Sequence, residues 1–386
     1  MSQVAGKIAA EIREQGPIPF HRFMELALYC PVYGYYEKER DTTGRRGDYY
    51  TSVSVGSLFG ELLGWRFAEW LEFEALGPVK GQKRDVAAGS AGLADEKHAN
   101  QPRGYQVVEA GAHSGQLAGD ILRWFRENRP ALFGQLEYWI VEPSERRRDW
   151  QQDTLREFTG KVRWAPKLSD VKPVRGVIFS NELLDAMPVH KLGWDAAARD
   201  WFEWGVMLRD GNFGWTRIPY RHAGGQGMRP ALPPELTVVL PDAFSIEFCP
   251  AALEWWRQAA QRLVCGKLMT FDYGFGAEAA ILPERKEGTL RAYHKHKFCN
   301  DILADPGEQD ITAHVDFGAL QDVGEATGLR TETFSAQAQF LTSIAARIFE
   351  GNRQFGDWTP QRRRQFQTLT HPDHFGRAFR VLVQAK

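Results

Sequence analysis

Glu109, Glu142, Glu182, Asp185 and Asp272 stand at or just beyond the ends of short apolar runs, in Q-V-V-E-A-G, W-I-V-E-P-S, G-V-I-F-S-N-E-L-L-D and M-T-F-D-Y-G. If those runs are buried strands, the acids face one crevice, because open α/β sheets bind ligands beyond the carboxyl ends of their strands. Glu109 is followed by Gly111, Ala112, His113 and Gly115, and then by Leu117, Ile121, Leu122 and Phe125 on one helical face as far as Pro130. A strand, a glycine turn and a helix in that order bring a ligand's polar backbone to the first helical N–H groups with no Cβ between them. The glycines are four apart, so the turn does not match the G-x-G-x-x-G of dinucleotide sites. Glu142, with Pro143 after it, can accept hydrogen bonds from the two hydroxyls of a ribose; the alternative is a solvated acid at a strand end, and the pairing with Gly111 and Gly115 favours the ribose role.

Asn181, Glu182 and Asp185 form a second cluster in N-E-L-L-D-A-M-P. Carboxylates three residues apart share one face of a helical turn and suit a cationic substrate, since they can grip a guanidinium fork bidentately. The same acids also serve as helix-start residues that complement the dipole. Asp272 and Tyr273 extend this rim with a further acid and an aromatic wall, or form a structural turn. His294, His296, Cys299 and His314 lack the ligand spacing of zinc sites, and no metal is expected. Arg45-Arg46 and Arg146-Arg147-Arg148 read as solvated faces, and the 13 tryptophans as packing rather than base-stacking platforms.

The elements that must carry these groups alternate between strand and helix, which predicts a parallel sheet of βα units. Strands are expected at Tyr105–Ala110, Glu137–Glu142, Val162–Ala165, Gly176–Ser180 and Lys267–Tyr273, with a last strand at Phe379–Val383. A helix is expected over Ala251–Val264. Residues 1–76 read as a helical section with an aromatic, glycine-containing loop, residues 77–104 as a flexible insertion, and residues 105–386 as the catalytic core. Within the core, the segment 189–248 reads as an inserted, β-rich piece with a hairpin turn at Arg209-Asp210-Gly211-Asn212.

Bulk properties set the frame. The chain has 386 residues, 43% of them hydrophobic and 25% charged, as in ordinary globular proteins, and a net charge of −1 gives no global field for nucleic acid. Its 4 cysteines form no CxxC pair, which fits a reducing compartment. No run approaches the ~18–20 apolar residues of a membrane span, and the N-terminus does not resemble a signal or transit peptide. These features together predict a cytoplasmic protein without a membrane span.

Several separated segments then agree with one family. Gly47–Ser52, Leu58–Leu62, Glu109–Leu117, Val141–Ser144, Ser180–His190, Asp272–Gly274, Gly288–Tyr293 and Asp310–Phe317 occur in order, and together they resemble the MidA family. The mitochondrial members of that family are complex I assembly factors that act as protein arginine methyltransferases. The resemblance spans nearly the whole chain. It implies a Rossmann-like class I methyltransferase with a seven-stranded α/β sheet and S-adenosyl-L-methionine as donor. It further implies methylation of an arginine ω-nitrogen in a protein, with a respiratory NADH dehydrogenase subunit as a candidate substrate. On this reading Glu109, Gly111, Ala112, His113, Gly115, Glu142, Pro143 and Asn181 hold the cofactor. Glu182 and Asp185 bind and orient the guanidinium. The resemblance also implies that the Gly47–Ser52 loop covers the cofactor, which places Asp48, Thr51 and Ser52 near it. Two departures stand out. The family usually has glycine where this chain has His113, and a Pro-Glu pair where it has Val53-Ser54. A small-molecule methyltransferase and a non-catalytic assembly chaperone that retains the fold are the competing expectations.

Overall fold

A computed structural model describes residues 2–38, 51–76, 104–220, 235–279, 281–294, 297–351 and 355–386. The expected insertion at 77–104 falls almost wholly outside the described residues, as does Asp48. The core is a sheet whose main strands are β1 (Tyr105–Ala110), β2 (Leu136–Val141), β3 (Val162–Ala165), β4 (Val174–Asn181), β5 (Leu263–Phe275), β6 (Arg330–Ala336) and β7 (Phe379–Ala385). In space they run β6-β7-β5-β4-β1-β2-β3. Strands β1 to β5 pair in parallel, whereas β7 is antiparallel to both β5 and β6. A short additional strand, Val315–Asp316, pairs with the end of β5.

Period-two alternation makes the sheet two-sided. Val107, Val177, Phe179, Met269 and Val381 pack on one face with the helices Leu58–Leu76 and Gln116–Asn128. Val108, Ile178, Leu268 and Leu382 pack on the other with the helix Pro250–Arg262. Both faces being covered is why the strands read as continuous apolar runs. The connections leaving the parallel neighbours β1 and β4 run toward opposite edges of the sheet, so their loops diverge and open a crevice at the carboxyl ends.

The segment after β4 forms a separate antiparallel sheet of His190–Asp195, Asp200–Arg209, Asn212–Pro219 and Ser245–Phe248. Its hairpin turn holds Asp210 at φ 50° and Gly211 at φ 81°, the left-handed pair that a tight two-residue hairpin requires. The N-terminal section joins this sheet, since Ile18 and Pro19 pair with Val206 and Gly205. The sheet is thus built from two distant parts of the chain. No described helix is long and apolar enough to cross a membrane.

Candidate active site

A cavity of about 680 Å³ opens beyond the ends of β1, β2 and β4. Thr51, Glu109, Gly111, Ala112, His113, Glu142, Pro143, Asn181 and Glu182 line it, so nine of the residues singled out in the sequence converge on one space. The volume is that of a small-molecule site.

The glycine turn has the shape anticipated for it, although for another reason. Gly111 (φ +75°) and Gly115 (φ +84°) are left-handed, and an added Cβ would sit 2.9 Å from Leu183 and 3.2 Å from Leu155, respectively. These glycines are therefore required by backbone conformation and by packing against the protein. Gly115 caps the helix Gln116–Asn128 and does not itself line the cavity. His113, between them, is also left-handed at φ 45°, a conformation that costs a non-glycine residue energy, and its side chain belongs to the cavity wall.

Glu142 is anchored at the end of β2. Its Oε1 accepts the Ser144 N–H at 3.0 Å, and its Oε2 accepts from Gln151 Nε2 at 3.1 Å. Gln151 Nε2 also donates to the His113 carbonyl at 3.0 Å, and its Oε1 accepts from Trp164 Nε1. One buried amide thus fixes both the glycine turn and the carboxylate beside it. Burial holds Glu142 above the usual carboxylate range, while Arg147 and the bonds from Ser144 and Gln151 pull it back. Glu109, 2% exposed, accepts from Tyr138 Oη at 2.7 Å; burial pushes it up to about 7.

Glu182 begins the turn after β4 at φ 53° and stands half-buried in the cavity wall. Its Oε1 accepts from Asn181 Nδ2 at 3.0 Å and from the Ser52 N–H at 3.4 Å; no hydrogen bond to Oε2 occurs among the described residues. Removal from water pushes Glu182 up to about 8. Ser52 is fully buried, with its Oγ on Gln337 Oε1, and meets the site through its backbone.

The other expected rim residues stand behind the wall. Asp185, 8% exposed, and Asp272, 0% exposed, lie outside the cavity lining. Asp272 was expected to contact substrate; instead its carboxylate accepts backbone N–H groups of Leu183, Leu184 and Tyr273. Burial pushes it up to about 7 and holds Asp185 well above its usual range, with the charges of Asp272, Asp310 and Glu182 adding to the effect at Asp185. Tyr273 is also outside the lining, with its ring 3.9 Å from that of Phe379.

Sequence reading overlooked Tyr29, Tyr36, Arg147 and Gln151. Arg147 was placed on a solvated face; its guanidinium donates twice to the Tyr36 carbonyl, at 3.0 and 2.8 Å, and lies over that ring. Tyr36 Oη in turn donates to Asp310 Oδ1 at 2.6 Å, and Tyr29 Oη donates to the Ala186 carbonyl at 2.9 Å. These bonds fasten the N-terminal section to the cavity wall, which Tyr29, Tyr36 and Arg147 line. Only the aromatic run Tyr33–Tyr36 hinted at such a role.

Comparison with known proteins identifies the family and its cofactor. A model of a methyltransferase family, S-adenosyl-L-methionine-dependent by its description, matches residues 93–369. The chain belongs to this methyltransferase family. A Burkholderia thailandensis protein crystallised with S-adenosyl-homocysteine superimposes on 99% of this chain and 92% of its own, with a TM-score of 0.78 and 28% identity. The mitochondrial protein arginine methyltransferase NDUFAF7 of Xenopus laevis is 28% identical over 96% of this chain and 81% of its own. Its human counterpart, also mitochondrial, is 27% identical over 82% of this chain and 67% of its own.

The methyltransferase fold and S-adenosylmethionine as its cofactor follow, and the residues present suit that group. A left-handed glycine turn, an anchored acid at the end of the neighbouring strand and a cavity of matching size are all in place. When bound, the cofactor supplies an electrophilic methyl group. The expected cytoplasmic location is overturned by the relatives, which are mitochondrial by name. Unpaired cysteines separate reducing from oxidising compartments but not one reducing compartment from another, so they could not have decided the question.

Proposed function

We propose that this methyltransferase modifies an arginine ω-nitrogen in a protein substrate, with Glu182 holding the guanidinium. The observation that carries the reading is Glu182 itself: a left-handed, half-buried carboxylate in the cavity wall with Oε2 open and a proton affinity raised to about 8. Strain of this kind persists where the surroundings over-determine it, commonly at functional sites. A guanidinium displaces the proton from Glu182 and pairs with the resulting carboxylate. As the nitrogen takes the methyl group it becomes more acidic, and Glu182 is placed to accept its proton.

Glu142 holds the donor's ribose, and Gly111, Ala112 and His113 shape the turn against its methionine end. Thr51, Pro143 and Asn181 complete the wall, and Ser52 supports it through its backbone N–H on Glu182. Asp185 acts behind Glu182 as a positioning residue. The arginine acceptor draws support from the names of the relatives, and a respiratory NADH dehydrogenase subunit as its carrier rests on the family resemblance. The test is Glu182→Gln, assayed for labelled methyl incorporation into arginine-containing protein and for S-adenosylhomocysteine binding by calorimetry. Incorporation should fall at least ~100-fold while cofactor affinity stays within a few-fold. Undiminished incorporation removes Glu182 from the mechanism.

A further inference from the structure

His21, His190 and Glu203 come together from three elements outside the methyl-donor cavity. His21 lies in the first turn of the helix Phe20–Tyr29, His190 opens the strand His190–Asp195, and Glu203 sits within the strand Asp200–Arg209. Pairing of Ile18 and Pro19 with Val206 and Gly205 brings the helix start against the sheet, and Leu192 stands opposite Glu203 in the adjacent strand. The two imidazole rings are 4.0 Å apart. His190 Nδ1 lies 2.6 Å from Glu203 Oε1, and His21 Nδ1 lies 3.6 Å from the same oxygen.

We propose that these three side chains bind a divalent transition-metal ion of the zinc class, which fastens the N-terminal helix to the inserted sheet. Two imidazole nitrogens and one carboxylate oxygen form a donor set that such ions take in tetrahedral sites, with a water in the fourth position. Donors about 2.0–2.2 Å from one tetrahedral ion stand about 3.3 Å from each other. The two observed nitrogen–oxygen distances, 2.6 and 3.6 Å, bracket that spacing, and all three donor atoms lie within 4.8 Å of one another.

Burial and hydrogen bonding point the same way. Glu203 is 2% exposed, a depth at which a carboxylate needs a cationic partner. His190 occupies one direction of Oε1, while His21 Nδ1 is buried and makes no hydrogen bond. A buried ring nitrogen that makes no hydrogen bond and stands 3.6 Å from a buried carboxylate oxygen suits a cation shared between them. This proposal departs from the sequence expectation of no metal, which weighed only the histidines of the 294–314 segment. Here the ligands lie at positions 21, 190 and 203, a spacing that matches no local zinc motif.

The test uses the full chain, stripped with chelator and titrated with Zn²⁺ alone, with Mg²⁺ as control and thermal unfolding as a second readout. The expected result is uptake of one equivalent of Zn²⁺ with a higher unfolding temperature and no response to Mg²⁺. His21→Gln and His190→Gln should each weaken that uptake by more than the ~10–100-fold that loss of an outer-shell partner costs. His21 is over one third exposed, so His21→Gln should fold normally and keeps the test decisive if His190→Gln does not. Co²⁺ substitution should give the intense visible bands of a tetrahedral site. Absence of Zn²⁺ uptake, or uptake that survives His21→Gln unchanged, overturns the proposal.

Discussion

Asp272 holds the turn that begins with Glu182: its Oδ2 accepts the Leu183 and Leu184 N–H groups at 3.2 and 2.8 Å, one strand away from the residue it positions. Glu182 N–H is likewise taken up by β5, through the Phe271 carbonyl at 2.9 Å. The left-handed start of the turn is thus tied to β5 at successive backbone groups. Asp272→Ala should destabilise the protein by about 2–4 kcal/mol, because buried N–H groups lose their acceptor. Asp272→Asn, which keeps one acceptor oxygen, should cost about half as much. Urea unfolding checks both. Folded Asp272→Asn should lose methyl transfer while retaining S-adenosylhomocysteine binding; unchanged stability in the alanine variant would show the turn to be held by other contacts.

Gln151 joins Glu142, the His113 carbonyl and Trp164. Its removal leaves Glu142, among the described residues, with the Ser144 N–H as its hydrogen-bond donor and releases the His113 carbonyl. Gln151→Ala should therefore weaken S-adenosylhomocysteine binding by about tenfold, the loss of one hydrogen bond to a charged group. Calorimetry measures this directly. Affinity equal to that of the unmodified chain would mean that Glu142 is oriented without the amide.

The difference between what was legible in the sequence and what was not follows from range. The strands declared themselves because each is an apolar run closed by a polar residue, and the glycine turn because its conformation is set by its own residues. Glu142 and Glu182, which line the cavity, drew attention for the same local reason. Asp272 was misplaced, since a carboxylate ending a strand looks the same whether it faces a cavity or accepts N–H groups from a neighbouring turn. Gln151 and Arg147 were missed because their partners lie on other elements: Arg147 reaches Tyr36, 111 positions away. The joining of Ile18 and Pro19 to an inserted sheet is likewise a long-range pairing with no local mark.

Glu109 links the site to stability. Burial pushes its carboxyl up to about 7, above the ordinary 4.5. A raised acid favours folding while it is protonated in the native state, so its contribution is fully present below the ordinary value and is lost as pH rises through about 7. Asp120 at about 6, Asp272 at about 7 and Glu182 at about 8 have the same sign. Stability of the cofactor-free protein should consequently fall between pH 5 and 8. Each such group contributes a slope of up to ~1.4 kcal/mol per pH unit. Glu109→Gln should flatten the profile between about pH 4.5 and 7, which unfolding titrations at several pH values will show. A parallel profile in the variant would mean that Glu109 is ionised throughout.

His113 occupies a left-handed position at φ 45° in a turn whose carbonyl, not its imidazole, is fixed by Gln151. Two consequences separate. Backbone strain at His113 is a cost that glycine would relieve, less the entropy that glycine loses on folding, so His113→Gly should stabilise the protein by about 0.5–1 kcal/mol. A β-branched residue tolerates that conformation least, and His113→Val should destabilise it by about 1–2 kcal/mol. The turn itself is shaped by Gly111, Gly115 and the Gln151 bond, all unchanged in His113→Gly. S-adenosylhomocysteine affinity in that variant should accordingly stay within a few-fold. If it instead tightens by ~100-fold or more, equivalent to about 2.8 kcal/mol, the imidazole competes with the cofactor for the cavity wall, and the departure from the family's usual glycine is a brake on donor binding.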